Sequence, residues 1–237
     1  MNTIIISPTS APPARTIWNF TRWSPHTASI FGGIALAVMA VVAGVSNFAA
    51  ITPLVIPGDA TATAEAISKN QIQFLAGIIG LFVVILLDVI VAAAWFTLFA
   101  PVNRILSAVA AWARVVFALG FTVAISQLVV ALVSTADPAA TLAAATAFTT
   151  IWVSVLGIFG IHLLLVGYLA FRSGFIARVF GILLALAGAG YIADAIGMLT
   201  IPGFTAIFAG FLFVGELAII FWLLIRGPRL SRVATAA

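Results

Sequence analysis

The chain of 237 residues contains no cysteine, is 64% hydrophobic and 7% charged, and carries a formal net charge of +4. A soluble domain has about 25% charged residues, so these polar groups are too few to cover a water-exposed surface, and lipid is the expected solvent for most of it. The missing cysteines exclude disulfides, thiolate metal sites and cysteine nucleophiles. The positive charges are scattered singly along the chain, a pattern of membrane topology, so nucleic acid is not an expected partner.

Residues 1–27 form an N-terminal tail with Pro8, Pro12, Pro13 and Pro25, which are unfavourable to an independent fold. Its stretch RTIWNFTRW mixes Arg15 and Arg22 with Trp18, Phe20 and Trp23, a composition suited to the headgroup layer. A transmembrane domain follows over 28–226, then a short C-terminal tail, 227–237. Crossing a hydrocarbon core of about 30 Å takes roughly 20 helical residues. Six segments qualify, near 28–51, 72–100, 105–133, 143–171, 179–201 and 204–225. Strand-type alternation is absent, so the expected fold is all-α, a bundle of six transmembrane helices. The first segment exceeds the apolar core of a signal peptide and lies behind a long tail, which marks it as an anchor. After it, Pro57-Gly58 reads as a turn, and Asp59 as the cap of a short surface helix in the first outer loop.

Orientation follows from the basic residues. Arg15, Arg22, Arg104, Arg172, Arg178, Arg226, Arg229 and Arg232 fall on one side, while the opposite loops carry Asp59, Glu65 and Asp137 with Lys69. The positive-inside rule places both termini in the cytoplasm. A bacterial cytoplasmic membrane is the expected location, with anionic lipid headgroups as partners of the cytoplasmic arginines.

Five ionisable side chains fall within the spans: Asp88, Arg114, His162, Asp194 and Glu216. Such groups usually face a bundle interior and are paired or functional. At a rise of about 1.5 Å per residue, Arg114, His162 and Glu216 each lie roughly 15 Å from the cytoplasmic boundary, Asp88 near 20 Å and Asp194 near 24 Å. Spans two and three form a hairpin, so Asp88 and Arg114 can meet as an ion pair. In the alternative, ILSAVAAWA is an interfacial helix, the span starts at Val115, and Arg114 snorkels outward beside Trp112. Small residues make two further faces, Ala187, Gly190, Tyr191, Asp194 and Gly197 on one helix and Ala40, Ala43, Gly44 and Asn47 on another. Asn47, Ser154, Tyr168 and Tyr191 are the supporting polar or aromatic candidates. GIIG at 77–80 and GIFG at 157–160 echo each other, too weakly to define a repeat.

The inventory excludes several chemistries. No lysine lies in a span for a retinal Schiff base, and one intramembrane histidine does not make a bis-histidine haem site. HExxH and GxSxG are absent. A zinc ion on His162 and carboxylates is chemically permissible, but no local spacing motif supports it, and no metal or cofactor is expected.

The loop PGDATATAEAI, the Asp88 span, RVVFAL after Trp112, and above all GIHLLLVGYLAFRSGFIARVFGILLALAGAGYIADA resemble the bacterial multi-pass proteins grouped as domain of unknown function 4386. The resemblance covers roughly residues 30–225. It places Gly167, Tyr168, Leu169, Ser173, Gly174, Gly181, Gly190, Tyr191 and Asp194 on the family's recurrent positions, and Ala177 where the pattern has proline. It implies a six-helix inner-membrane protein and supplies no activity.

Three functions compete. The cluster binds or transports a small polar solute or protons. Alternatively its groups only fix helix packing in a structural or regulatory protein, which is open to homo-oligomerisation. In the third, a carboxylate and His162 serve a lipid-modifying enzyme as acid and base.

Overall fold

The computed structural model describes residues 23–208 and 214–232. Arg15, Trp18, Phe20 and Arg22 of the tail lie outside the described residues. Within them every regular element is helical. Helix α1 spans Pro25–Gly44, α2 Ala60–Lys69, α3 Gln71–Phe99, α4 Arg104–Val133, α5 Pro138–Arg172, α6 Arg178–Thr200 and α7 Val214–Ile225. A 3-10 turn, Gly227–Arg232, follows.

Five helical segments are long and apolar enough to cross a membrane: Pro25–Leu54, Gln71–Phe99, Arg104–Val133, Pro138–Arg172 and Arg178–Thr200. The fourth starts at Pro138 rather than 143, because Asp137 caps it by accepting from the Ala140 amide at 3.1 Å and proline suits the first helical turn. The segment expected at 204–225 is helical over Val214–Ile225, whereas residues 204–208 are irregular and 209–213 lie outside the described residues. Pro202 and Gly203 end the preceding run, with Gly203 at φ 74°.

Helix α1 continues as a π-helix, Val45–Ile51, and a 3-10 turn, Thr52–Leu54. Widening the helix frees carbonyl groups, and Gln73 Nε2 donates to one of them, Ala49 O, at 3.0 Å. The expected small face Ala40, Ala43, Gly44, Asn47 is packed only in part: Ala43 is half-buried against the core, whereas Ala40 is exposed and a Cβ on Gly44 would meet nothing. Contact is made by Gly32 against Ala94, by Gly33 against Leu223 and Leu224, and by buried Ser46 and Ala50.

The two outer corners share one device. Asp59 caps α2 through the Ala62 amide at 2.9 Å, and Thr63 Oγ1 reaches Asp59 O and Ile56 O at 2.8 and 3.2 Å. Thr141 does the same with Asp137 O and Ser134 O at 2.9 and 2.8 Å. Each threonine sits four residues past its aspartate and is fully buried, its hydroxyl closing the loop on itself.

Helices α1, α3, α4, α5, α6 and α7 pack in that order into a closed ring, α7 returning to α1, while α2 lies on α5. The closest approach is between α5 and α6. A Cβ built on Gly160 would stand 2.5 Å from the Gly188 carbonyl oxygen, and one on Gly167 2.7 Å from that of Gly181, with the reciprocal clashes as severe. Two glycine pairs seven residues apart on each helix thus set the backbones in direct contact. They pivot about Gly174, at φ 73°. Ala177, which ends that turn, has φ −62°, the value proline would impose, so the turn keeps its shape without one.

Candidate functional site: a buried charge cluster

Arg114 lies inside α4, which runs unbroken from Arg104 to Val133, so the interfacial alternative for this segment does not describe the fold. Its side chain points into the ring and is 2% exposed, as is that of Asp88 from α3. Nη2 stands 2.7 Å from Asp88 Oδ1. The contact is a close, buried ion pair. Among the described residues, neither Asp88 Oδ2 nor Arg114 Nε has a hydrogen-bond partner.

His162 of α5, fully buried, closes the other side. Its Nδ1 is 2.8 Å from the Ala110 carbonyl and its Nε2 3.2 Å from Arg114 Nη1. A carbonyl can only accept and a guanidinium only donate, so Nδ1 carries the proton and Nε2 the lone pair. The imidazole is neutral, and both nitrogens are engaged within the protein. Two further neighbours complete the surroundings of Arg114. The Phe159 ring lies 5.1 Å from its Cζ, a cation–π contact, and Met39 Sδ accepts from Nη2 at 3.8 Å.

A second pair lies across Phe159. Tyr191 of α6 donates its hydroxyl to Glu216 Oε1 of α7 at 2.6 Å. The Phe159 ring centroid is 5.6 Å from that of His162 and 5.8 Å from that of Tyr191, so one aromatic ring packs on both polar pairs. Glu216, partly buried, is close enough to interact electrostatically with Arg114 and Asp88, and Tyr191 with Asp194.

Asp194, fully buried, holds the irregular segment that follows the Pro202-Gly203 turn. Its Oδ1 accepts from the Ile207 amide at 2.9 Å, while the Phe204 ring covers Gly197. Backbone that has left the helix needs such a partner when water is absent. Asp88, Arg114 and His162 therefore touch directly, Glu216 joins through Tyr191 and Phe159, and Asp194 performs a neighbouring backbone task. Inside this ring Asp88 faces the one guanidinium beside a neutral imidazole, while Glu216 is bonded to Tyr191 and Asp194 to the Ile207 amide. No three histidine, aspartate or glutamate side chains among the described residues are arranged to hold a metal ion.

The supporting candidates divide. Tyr191 is in the site. Ser154 Oγ donates to its own helix at Thr150 O, 2.7 Å away, Tyr168 is 50% exposed on the outside, and Asn47 lies half-buried in the π-helix, away from the cluster, its main-chain carbonyl accepting from the Thr52 amide. Sequence reasoning missed Phe159, Met39 and the Ala110 carbonyl. Phe159 carried a usable signal, three residues before His162 and so on the same helical face; Met39 carried none.

Residues 31–227 match the family described as Domain of unknown function (DUF4386). An uncharacterized protein of Archaeoglobus fulgidus is 34% identical over 158 residues, which is 67% of this chain and 88% of that relative. No solved structure matches.

Proposed function

The chain belongs to the DUF4386 family, and on that premise we propose that it is a multi-pass membrane protein whose buried charge cluster binds a small polar solute or carries protons. The proposed topology has six spans, the last drawn from 204–225, with both termini in the cytoplasm of a bacterial cell. It rests on the arginine distribution and on five helices already long enough to cross. The functional reading rests on one observation: the Asp88–Arg114 ion pair leaves Asp88 Oδ2 and Arg114 Nε buried without a hydrogen-bond partner among the described residues. An unsatisfied buried polar group costs about 1–3 kcal/mol, more when charged. A proton on the carboxylate or a small guest with donor and acceptor groups relieves it. The excess of carboxyl over basic groups in the ring favours a proton or a cationic guest.

Purified protein reconstituted into vesicles with an internal pH dye tests the reading. Solute- or proton-dependent flux is expected, and Glu216→Gln, which keeps an acceptor for Tyr191, reduces it. Absent flux, or flux indifferent to this substitution, overturns the reading.

A second reading has its own support: besides Asp88, Arg114 is held from three sides by His162, Met39 and Phe159, which tie α1, α4 and α5 together. On that view the cluster fixes helix packing alone, and neutralising both partners of the ion pair leaves a folded protein.

A further inference from the structure

A cavity of about 550 Å³ opens at the corner between α5 and α6, lined by Phe171, Arg172, Gly174, Ile176, Ala177 and Arg178. Its volume falls within the roughly 300–1,000 Å³ of small-ligand sites. The corner is built, not merely left over. Gly174 reverses the chain at φ 73°, and Ser173 Oγ donates to Ala170 O at 2.7 Å and accepts from the Ile176 amide at 3.2 Å. Arg178 Cζ lies 5.3 Å from the Phe171 ring centroid, which holds that guanidinium against the end of α5.

The charge here is uncompensated. Among the described residues the ion pairs are Lys69–Glu65 and Arg114–Asp88, so neither Arg172 nor Arg178 meets a carboxylate. None of the six acidic residues falls in the α5–α6 turn or in the 100–103 turn that joins α3 to α4. Helix α6 starts at this corner without a side-chain cap, so its first amides add partial positive charge to that of the arginines. Beside the cavity an apolar wall continues along α6 through exposed Val179 and Ile182. Two cations, a cavity and an adjoining greasy flank together match a molecule with an anionic phosphate ester at one end and hydrocarbon at the other.

We infer that the α5–α6 corner binds the phosphate of an anionic lipid headgroup between Arg172 and Arg178, with acyl chains along Phe171, Val179 and Ile182. The inference rests on the proposed topology only in placing this corner at a headgroup layer, and it stands whether or not the charge cluster carries flux.

Native mass spectrometry of the full-length protein in detergent, titrated with phosphatidylglycerol or phosphatidylcholine, tests it. Phosphatidylglycerol binds at least about tenfold more tightly, and Arg172→Gln with Arg178→Gln weakens that binding roughly thirtyfold, from two charges near the surface. Arg172→Lys with Arg178→Lys retains most of it, and Arg226→Gln with Arg229→Gln changes it less than about threefold. Both arginines are exposed, so the fold survives their replacement. Equal binding of the two lipids, or equal loss in the two glutamine pairs, overturns a localised site. Inorganic phosphate is the third arm: if it binds the corner as tightly as phosphatidylglycerol and displaces it, the ligand is free phosphate and the lipid assignment falls.

Discussion

Asp88 and Arg114 stand thirteen residues on either side of Pro101, at the tip of the α3–α4 hairpin, and meet at 2.7 Å. Antiparallel helices that rise equally from a shared tip bring equal residue counts to equal depth. The same relation joins Gly160 to Gly188 about Gly174. These contacts of the ring are thus hairpin contacts, and the loops set their register.

The ion pair is tested by a double-mutant cycle. Asp88→Asn or Arg114→Met alone lowers the unfolding free energy by about 3–5 kcal/mol, since each strands a buried charge, while the double variant loses much less. Chemical unfolding in detergent measures it. If the double loss equals the sum of the single losses, the two residues are not coupled.

Glycine substitutions separate contact from propensity. Gly188→Ala drives a methyl group into the backbone of α5 and costs about 1–3 kcal/mol. Gly44→Ala, with open space around it, gains about 0.5–1 kcal/mol. Thermal unfolding of the two variants should shift in opposite directions.

Tyr191→Phe removes the donor to Glu216 and costs about 0.5–1.5 kcal/mol, the range for an intramolecular hydrogen bond. Glu216→Gln keeps an acceptor and should cost less. Comparable midpoints for wild type and Tyr191→Phe would show that the 2.6 Å bond contributes nothing.

Asp194→Ala strips the Ile207 amide of its acceptor and should speed hydrogen exchange across 204–208, while Asp194→Asn, which retains a carbonyl oxygen, protects more of it. Mass-spectrometric exchange reads this directly. Unchanged exchange in the alanine variant would separate Asp194 from the irregular segment.

The cysteine-free chain gives a clean background for topology. With both termini in the cytoplasm, a membrane-impermeant maleimide added to whole cells labels Thr61→Cys and Ala136→Cys and spares Ala177→Cys. The reverse pattern inverts the proposed orientation.

The sequence by itself determined the helical class, five of the six segments expected to be long and apolar enough to cross a membrane, and the chance for Asp88 to meet Arg114, because hydrophobic length and a fixed rise per residue act along the helix axis. It did not determine which way each helix faces. Helices apolar on every side carry no amphipathic stripe to orient them, so only part of the α1 face expected to pack does so, and Met39 gave no sign of joining Arg114. The turn of α1 into a π-helix and the irregular return to Asp194 were equally hidden. Closure of the ring decided all of these, because only neighbouring helices fix the rotation of each helix about its own axis.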